Sequence, residues 1–164
     1  MTANVMLPIK LAGILLLGGF LTQADQQPFS LTIETKNSVA RVGEPLHLQV
    51  ILTNSSHKQL RLAEAPGDPA PAEYQYAIEI RDSNGQLATL TAYGRKFTGS
   101  IPPRGSRVTR IIESGESVTD EAVLTKLYDL SRPGKYVVQV TRSVPPYLGK
   151  GVVRSNRVTI AINK

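Results

Sequence analysis

From Phe29 onward, apolar and polar residues alternate with a period of two, and no stretch sustains the period of a helix. Phe29, Leu31 and Ile33 alternate with Ser30, Thr32 and Glu34. After Val42-Gly43-Glu44-Pro45, the set Leu46, Leu48, Val50 and Leu52 alternates with His47, Gln49 and Ile51. Tyr74, Tyr76, Ile78 and Ile80 alternate with Gln75, Ala77, Glu79 and Arg81. A period of two puts every second side chain on one face, so each run predicts a strand with that face in a core. Asp82-Ser83-Asn84-Gly85 then predicts a hairpin, because Asn-Gly takes the positive φ angles that tight hairpin turns require. Further strands are expected over residues 86–90, 107–112, 118–124, 136–141 and 157–162. Leu127 and Leu130 are spaced for one helical turn, just ahead of a turn built on Pro133-Gly134. Tyr136, Val138 and Val140 follow on one strand face.

Strands that recur at short intervals, with Gly, Pro, Asn and Ser between them, predict an all-β domain. The expected architecture is an antiparallel two-sheet sandwich of about 7–9 strands, with a Greek-key barrel as the alternative. The run Leu130-Ser131-Arg132-Pro133-Gly134-Lys135-Tyr136, continued by Val138 and Val140, is similar to the corner-and-strand pattern of fibronectin type III and related immunoglobulin-like domains. Val42-Gly43-Glu44-Pro45, followed by its alternating strand and Thr53-Asn54, resembles the opening of bacterial immunoglobulin-like modules. Ser114-Gly115-Glu116-Ser117 leading to Leu127-Tyr128-Asp129-Leu130-Ser131, with Tyr93-Gly94-Arg95-Lys96 ahead of it, resembles the non-catalytic N-terminal sandwich domain of deuterolysin-type metallopeptidases. The zinc motif H-E-x-x-H of those enzymes is absent, so the likeness implies a fold and no catalysis.

Residues 1–24 stand apart. Lys10 is their one charge, an apolar run extends from Leu11 to Leu21, and Thr22-Gln23-Ala24 offers a small residue for cleavage. That pattern predicts a secretory signal peptide, with an uncleaved anchor as the alternative. Residues 25–164 are then one exported domain, periplasmic or extracellular. The chain has no cysteine, which excludes disulfides, thiolate catalysis and zinc–sulfur sites.

Candidate chemistry is sparse. His47 falls on the outward register of a strand and His57 in a polar loop, and neither has a partner at triad or metal spacing. No catalytic, cofactor or metal residues are assigned. The two segments that could collect calcium, Glu64 with Asp68 and Glu73, and Asp82-Ser83-Asn84-Gly85, are read as ordinary turns.

Charge is more informative. Without Lys10 the chain has 18 basic and 13 acidic residues, a balance of +5. Residues 83–112 contain no acid but carry Arg95, Lys96, Arg104, Arg107 and Arg110. Residues 130–164 contain none but carry Arg132, Lys135, Arg142, Lys150, Arg154, Arg157 and Lys164. The expectation is that the first five form one exposed basic surface suited to an anionic glycan or acidic protein. A second candidate is the loop carrying Pro145, Pro146, Tyr147 and Leu148, since end loops of sandwiches are held rigid by the sheets. No cofactor and no nucleic-acid partner are expected. The function read from the sequence is an exported, non-enzymatic immunoglobulin-like module binding a protein or glycan. A proteinase inhibitor of the same fold is the alternative, and a hydrolase with a dispersed site is the third possibility.

Overall fold

The computed structural model describes residues 27–64, 71–97 and 108–164. The expected signal segment, residues 1–24, lies outside the described residues, and so do Asp68, Arg104 and Arg107. The chain runs β1 (Phe29–Thr35), β2 (Val39–Arg41), β3 (His47–Asn54), β4 (Leu60–Glu64), β5 (Ala77–Asp82), β6 (Val108–Ile112), β7 (Ser117–Val123), α1 (Leu124–Leu127), β8 (Gly134–Ser143) and β9 (Val152–Asn163). Single 3-10 turns occupy Ala72–Tyr74 and Gly94–Lys96.

The described strands form three open sheets. One has the order β1-β3-β7, the second β2-β9-β8-β5, and the third is the pair β4-β6. Every pairing is antiparallel except that of β2, which lies parallel to β9. None of these sheets closes into a barrel, which removes the Greek-key barrel alternative.

The alternation seen in the sequence becomes burial. Phe29, Leu31 and Ile33 of β1 and Leu48, Val50 and Leu52 of β3 are buried with Ile80, Tyr136, Val138, Val140, Ile160 and Ile162 in one shared core. Burying side chains of this size stabilises by about 1.5–3 kcal/mol each, which is what drives the sheets together. Leu124, Leu127, Tyr128 and Leu130, around the short helix, close one end of that core.

β8 is entered as the Pro133-Gly134 turn predicts. The Tyr136 ring is buried, and its hydroxyl donates to the Arg132 carbonyl at 2.7 Å, tying the strand to the turn that precedes it. β1 lies at an open edge of its sheet, and Asn156 of β9 reaches across to it. The Asn156 amide accepts from Ile33 N at 2.8 Å and donates to Ile33 O at 3.1 Å, so one side chain replaces a missing neighbour strand. It can do so because β9 bulges there: the Ser155 hydroxyl takes the Val140 N–H at 3.0 Å in place of a ladder carbonyl.

Two strands, β2 and β4, are not among those expected, and three expected elements differ. Tyr74 ends a 3-10 turn rather than beginning a strand, because Tyr74 N and Gln75 N close onto Pro71 O and Ala72 O. Residues 86–90 leave Asn84-Gly85 as the second arm of a hairpin but hold only the bridge Arg81↔Leu87. They are drawn instead to the segment after α1, where Asp129 N donates to Thr89 O and Leu90 bridges Tyr128. Finally, β9 begins at Val152 rather than near 157, because its bulge lets pairing with β8 continue past Val153.

Tyr136 offers a direct test of this register. Tyr136→Ala is expected to cost about 3–5 kcal/mol, as for other large core truncations. Tyr136→Phe, which removes only the hydrogen bond to Arg132, is expected to cost about 1 kcal/mol. Chemical denaturation measures both, and an unchanged midpoint in the alanine variant contradicts the placement.

Candidate functional site

Three strands carry a charged residue where their alternation calls for an apolar one. Leu60 and Leu62 are followed inward by Glu64, Val138 and Val140 by Arg142, and Asp120 precedes buried Ala122. These residues meet. Glu64 Oε1 accepts from Arg142 Nη1 at 2.9 Å, and Glu64 Oε2 lies 2.8 Å from Arg110 Nε. Arg110 Nη1 donates to Asp120 Oδ1 at 2.8 Å, and the Tyr76 hydroxyl donates to Asp120 Oδ2 at 2.7 Å. The ring closes where the Arg142 guanidinium lies 5.2 Å above the centre of the Tyr76 ring. Glu64 and Asp120 are fully enclosed. Two acids and two arginines balance, which is how charges so deep are tolerated. Burial pulls the Arg110 guanidinium down, but its bond to Asp120 and the charges of Asp120 and Glu64 outweigh that and hold it up. Burial, with the Asp120 charge, pushes the Tyr76 phenol far above its usual range.

This network corrects the expected basic surface. Arg110 is neutralised by Glu64, far along the chain on β4, and by Asp120, on the next strand β7 just beyond the acid-free window. The two acid-free windows do meet, at Arg110 and Arg142, but they meet inside the protein around Glu64. Arg95 and Lys96 are exposed, and Arg95 donates to Leu90 O at 2.9 Å. Arg104 and Arg107 lie outside the described residues.

The second candidate stands in the open. Tyr147 is 66% exposed, yet its hydroxyl donates to the Arg61 carbonyl of β4. Leu148 N closes a turn onto Pro145 O at 2.8 Å, Val144 N binds Gly151 O at 3.0 Å, and the half-buried Leu148 packs against the core. Pro145 is half-buried and Pro146 exposed. The loop is thus anchored at both ends and at its tip while the Tyr147 ring faces water.

A pocket of about 140 Å³ lies between the two 3-10 turns, lined by Glu73, Tyr76, Ile78, Leu90, Phe97 and Tyr128 among others. Gly94 belongs to its wall for a steric reason: a Cβ there would sit 2.0 Å from the Leu127 carbonyl oxygen. Thr91 fastens this turn to α1, its N–H donating to Leu127 O at 3.0 Å and its hydroxyl to Lys126 O and accepting from Gly94 N. Phe97 is held edge-on by Tyr74 at 4.9 Å and flanked by Tyr93 at 4.9 Å. The Tyr93 hydroxyl donates to Glu73 Oε1 at 2.9 Å, while Glu73 Oε2 is enclosed with no hydrogen-bond partner among the described residues. Sequence reading missed this pocket: it left Glu73 in an ordinary turn and began a strand at Tyr74, where the structure has a 3-10 turn over Ala72–Tyr74.

Among the described residues no group of three acids or histidines is placed to hold a metal ion. Glu64 is spent on arginines, and Asp82 Oδ1 accepts from Asn84 N and Gln86 N within its own turn. His47 and His57 are both exposed.

Two measurements probe the network. Glu64→Gln leaves two arginines short of a negative charge and is expected to cost about 3–5 kcal/mol in urea denaturation. A loss below about 1 kcal/mol would mean that the pairs are broken in solution. The second is alkaline. Below its ordinary value of 10.0 the Tyr76 phenol is protonated in folded and unfolded chains alike, and its bond to Asp120 contributes in full. As pH rises past that value the unfolded chain releases the proton first, so stability falls. Tyr93, pushed up to about 12 by burial and by its bond to Glu73, adds to the loss in the same direction. Tyr76→Phe is therefore expected to show a shallower fall in denaturation midpoint than the unsubstituted protein between about pH 10 and pH 12.

No family model and no curated protein matches the chain. Among solved structures it is similar to an alkylpurine DNA glycosylase from Pseudomonas fluorescens, at 15% identity and TM-score 0.41, covering 84% of this chain and 31% of that one. A β-glucosidase from Erythrobacter marinus matches at 14% identity and TM-score 0.42, covering 82% of this chain and 15% of the other. A β-glucosidase from Listeria innocua matches at 16% identity and TM-score 0.40, covering 83% and 16%. The chain thus spans less than a third of the length of each of these proteins, and likeness of this grade assigns it neither a family nor an activity.

Proposed function

We propose that this chain is an exported, non-enzymatic module of immunoglobulin-like sandwich fold that binds a protein or a glycan. The fold reading is supported by β2 lying parallel to β9 while β1 joins a different sheet, and by the Tyr136 hydroxyl reaching back to Arg132 O. The latter is the arrangement of the tyrosine corner in that fold class. The non-enzymatic reading rests on where the carboxylates are: Glu64 and Asp120, the most deeply buried acids described, are committed to arginines.

One observation carries the binding reading. The 145–148 loop exposes a large aromatic ring and fixes it by a hydrogen bond to another strand. An ordered aromatic loses little entropy when a partner covers it, which is why tyrosine recurs among the residues that dominate interfaces. Sugar rings and apolar protein surfaces both complement such a face.

The test is in-cell photo-crosslinking. A benzophenone side chain in place of Tyr147, in the full chain expressed from its own start, is expected to yield one dominant adduct with a protein or glycan. The same group in place of Leu87, which is also exposed, serves as control. The adduct is expected in the exported fraction, with residues 1–24 absent from its intact mass. Equal labelling at both positions sinks the binding reading. An adduct with a protease, coupled to inhibition of that protease, moves the function to the inhibitor alternative.

A further inference from the structure

We propose that the pocket between the Ala72–Tyr74 and Gly94–Lys96 turns is a binding site for a protonated aliphatic amine, a positive ammonium on an apolar stem. None of the 145–148 loop residues lines this pocket, so the proposal concerns a separate site and fails separately from the loop reading.

Volume comes first. About 140 Å³ is far more than the roughly 10–15 Å³ that a single water requires. The pocket's lining includes the aromatic residues Tyr76, Phe97 and Tyr128 and the aliphatic residues Ile78, Leu90 and Leu127. Such walls suit an apolar stem, and the faces of aromatic rings attract cations. Among the described residues that line the pocket, Glu73 is the one that carries a charge.

Glu73 then sets the ligand's polar end. Its Oε1 is satisfied by Tyr93, but its Oε2 is enclosed and has no donor among the described residues. A buried acceptor without a donor is costly, and a charged N–H answers a carboxylate oxygen better than a neutral one does. An alcohol would supply the hydrogen bond without the charge. A hydrocarbon would leave the oxygen as it is.

The surroundings are built to keep this geometry. Tyr93 remains a donor throughout the neutral range, since burial and its bond to Glu73 push its phenol up to about 12. Phe97 is fixed between Tyr74 and Tyr93, and Gly94 lets the whole turn lie against the Leu127 carbonyl. A site that is already ordered does not lose that entropy when the ligand arrives. The exposed Arg95 on the same turn is directed to Leu90 O, and it is not among the residues lining the pocket.

The ammonium could be a free alkylamine or the side chain of a lysine in a partner protein, and the experiment separates the two. The purified protein, labelled with nitrogen-15, is titrated at neutral pH with n-pentylamine, with 1-pentanol and with Nα-acetyl-lysine amide. Pentylamine is expected to shift the amides of Glu73, Gly94 and Phe97 saturably, with pentanol weaker by about tenfold or more. Glu73→Gln, which keeps the shape of the side chain, is expected to weaken pentylamine about tenfold and leave pentanol unchanged. Binding of the lysine amide as well as pentylamine assigns the site to a lysine side chain, and binding of pentylamine alone assigns it to a free amine. Equal affinity for pentylamine and pentanol overturns the proposal, as does a lack of response to both amines. Should Glu73→Gln fail to fold, the comparison of pentylamine with pentanol on the unsubstituted protein still decides.

Discussion

The closed ring of Glu64, Arg110, Asp120, Tyr76 and Arg142 is the joint on which the three sheets depend. Glu64 and Arg110 belong to the β4-β6 pair, Asp120 to the β1-β3-β7 sheet, and Arg142 to the four-stranded sheet. No backbone ladder among the described strands joins β4-β6 to either larger sheet. What holds the small sheet in place is therefore its apolar inner face, Leu60, Leu62 and Ile112, together with these charges and Asn54, whose amide donates to Ile112 O. The energetics of such a ring are not those of surface pairs. The two carboxylates have lost their water, so their partners are obligatory, and removing an arginine strands them. The same ring fixes position. An apolar contact tolerates sliding along a strand, whereas two arginines sharing one carboxylate accept a single register.

Much of this was legible along the chain, and the reasons are local. Where alternation was strict, as over Phe29, Leu31 and Ile33, strand and buried face follow directly, because a one-residue slip would expose every apolar side chain. The Pro133-Gly134 turn and the burial of Tyr136 were legible for the same reason. The charged network was written in the same code and was read the wrong way. Glu64 continues the inward register of Leu60 and Leu62, and Arg142 that of Val138 and Val140, so their alternation marked them as interior. Counting acids within a window treated Arg110 as unneutralised, because pairing was sought nearby in sequence. Its partners come from β4 and β7, which only the assembled sheets place beside it.

The aromatic pocket was out of reach for a different reason. It is built from turns and from the segment after Asn84-Gly85, where hydrogen bonds to the stretch after α1 override the hairpin's own ladder. Period-two patterning carries no information about such segments. The one local sign is Tyr93-Gly94, a glycine whose absent side chain lets the turn meet Leu127 O. The need for that approach is set by a residue far along the chain.

The amide of Asn156 has a consequence beyond this molecule's interior. A strand at the margin of a sheet is a template on which a second chain can extend the ladder, the first step toward swapping and fibre growth. Asn156 occupies both polar groups of Ile33 midway along β1, so an incoming strand could not pair there without displacing it. The opposite margin of the same sheet is met at Glu121 by Pro71, which has no N–H to offer a newcomer. In the other large sheet the margin at β5 is engaged by Leu87, and that at β2 is only three residues long. With these four margins obstructed, the two larger sheets are poorly suited to pair with an incoming strand. Under the proposed binding function, recognition would then rest on side chains and loops, where a change of residue alters the contact surface without altering the fold.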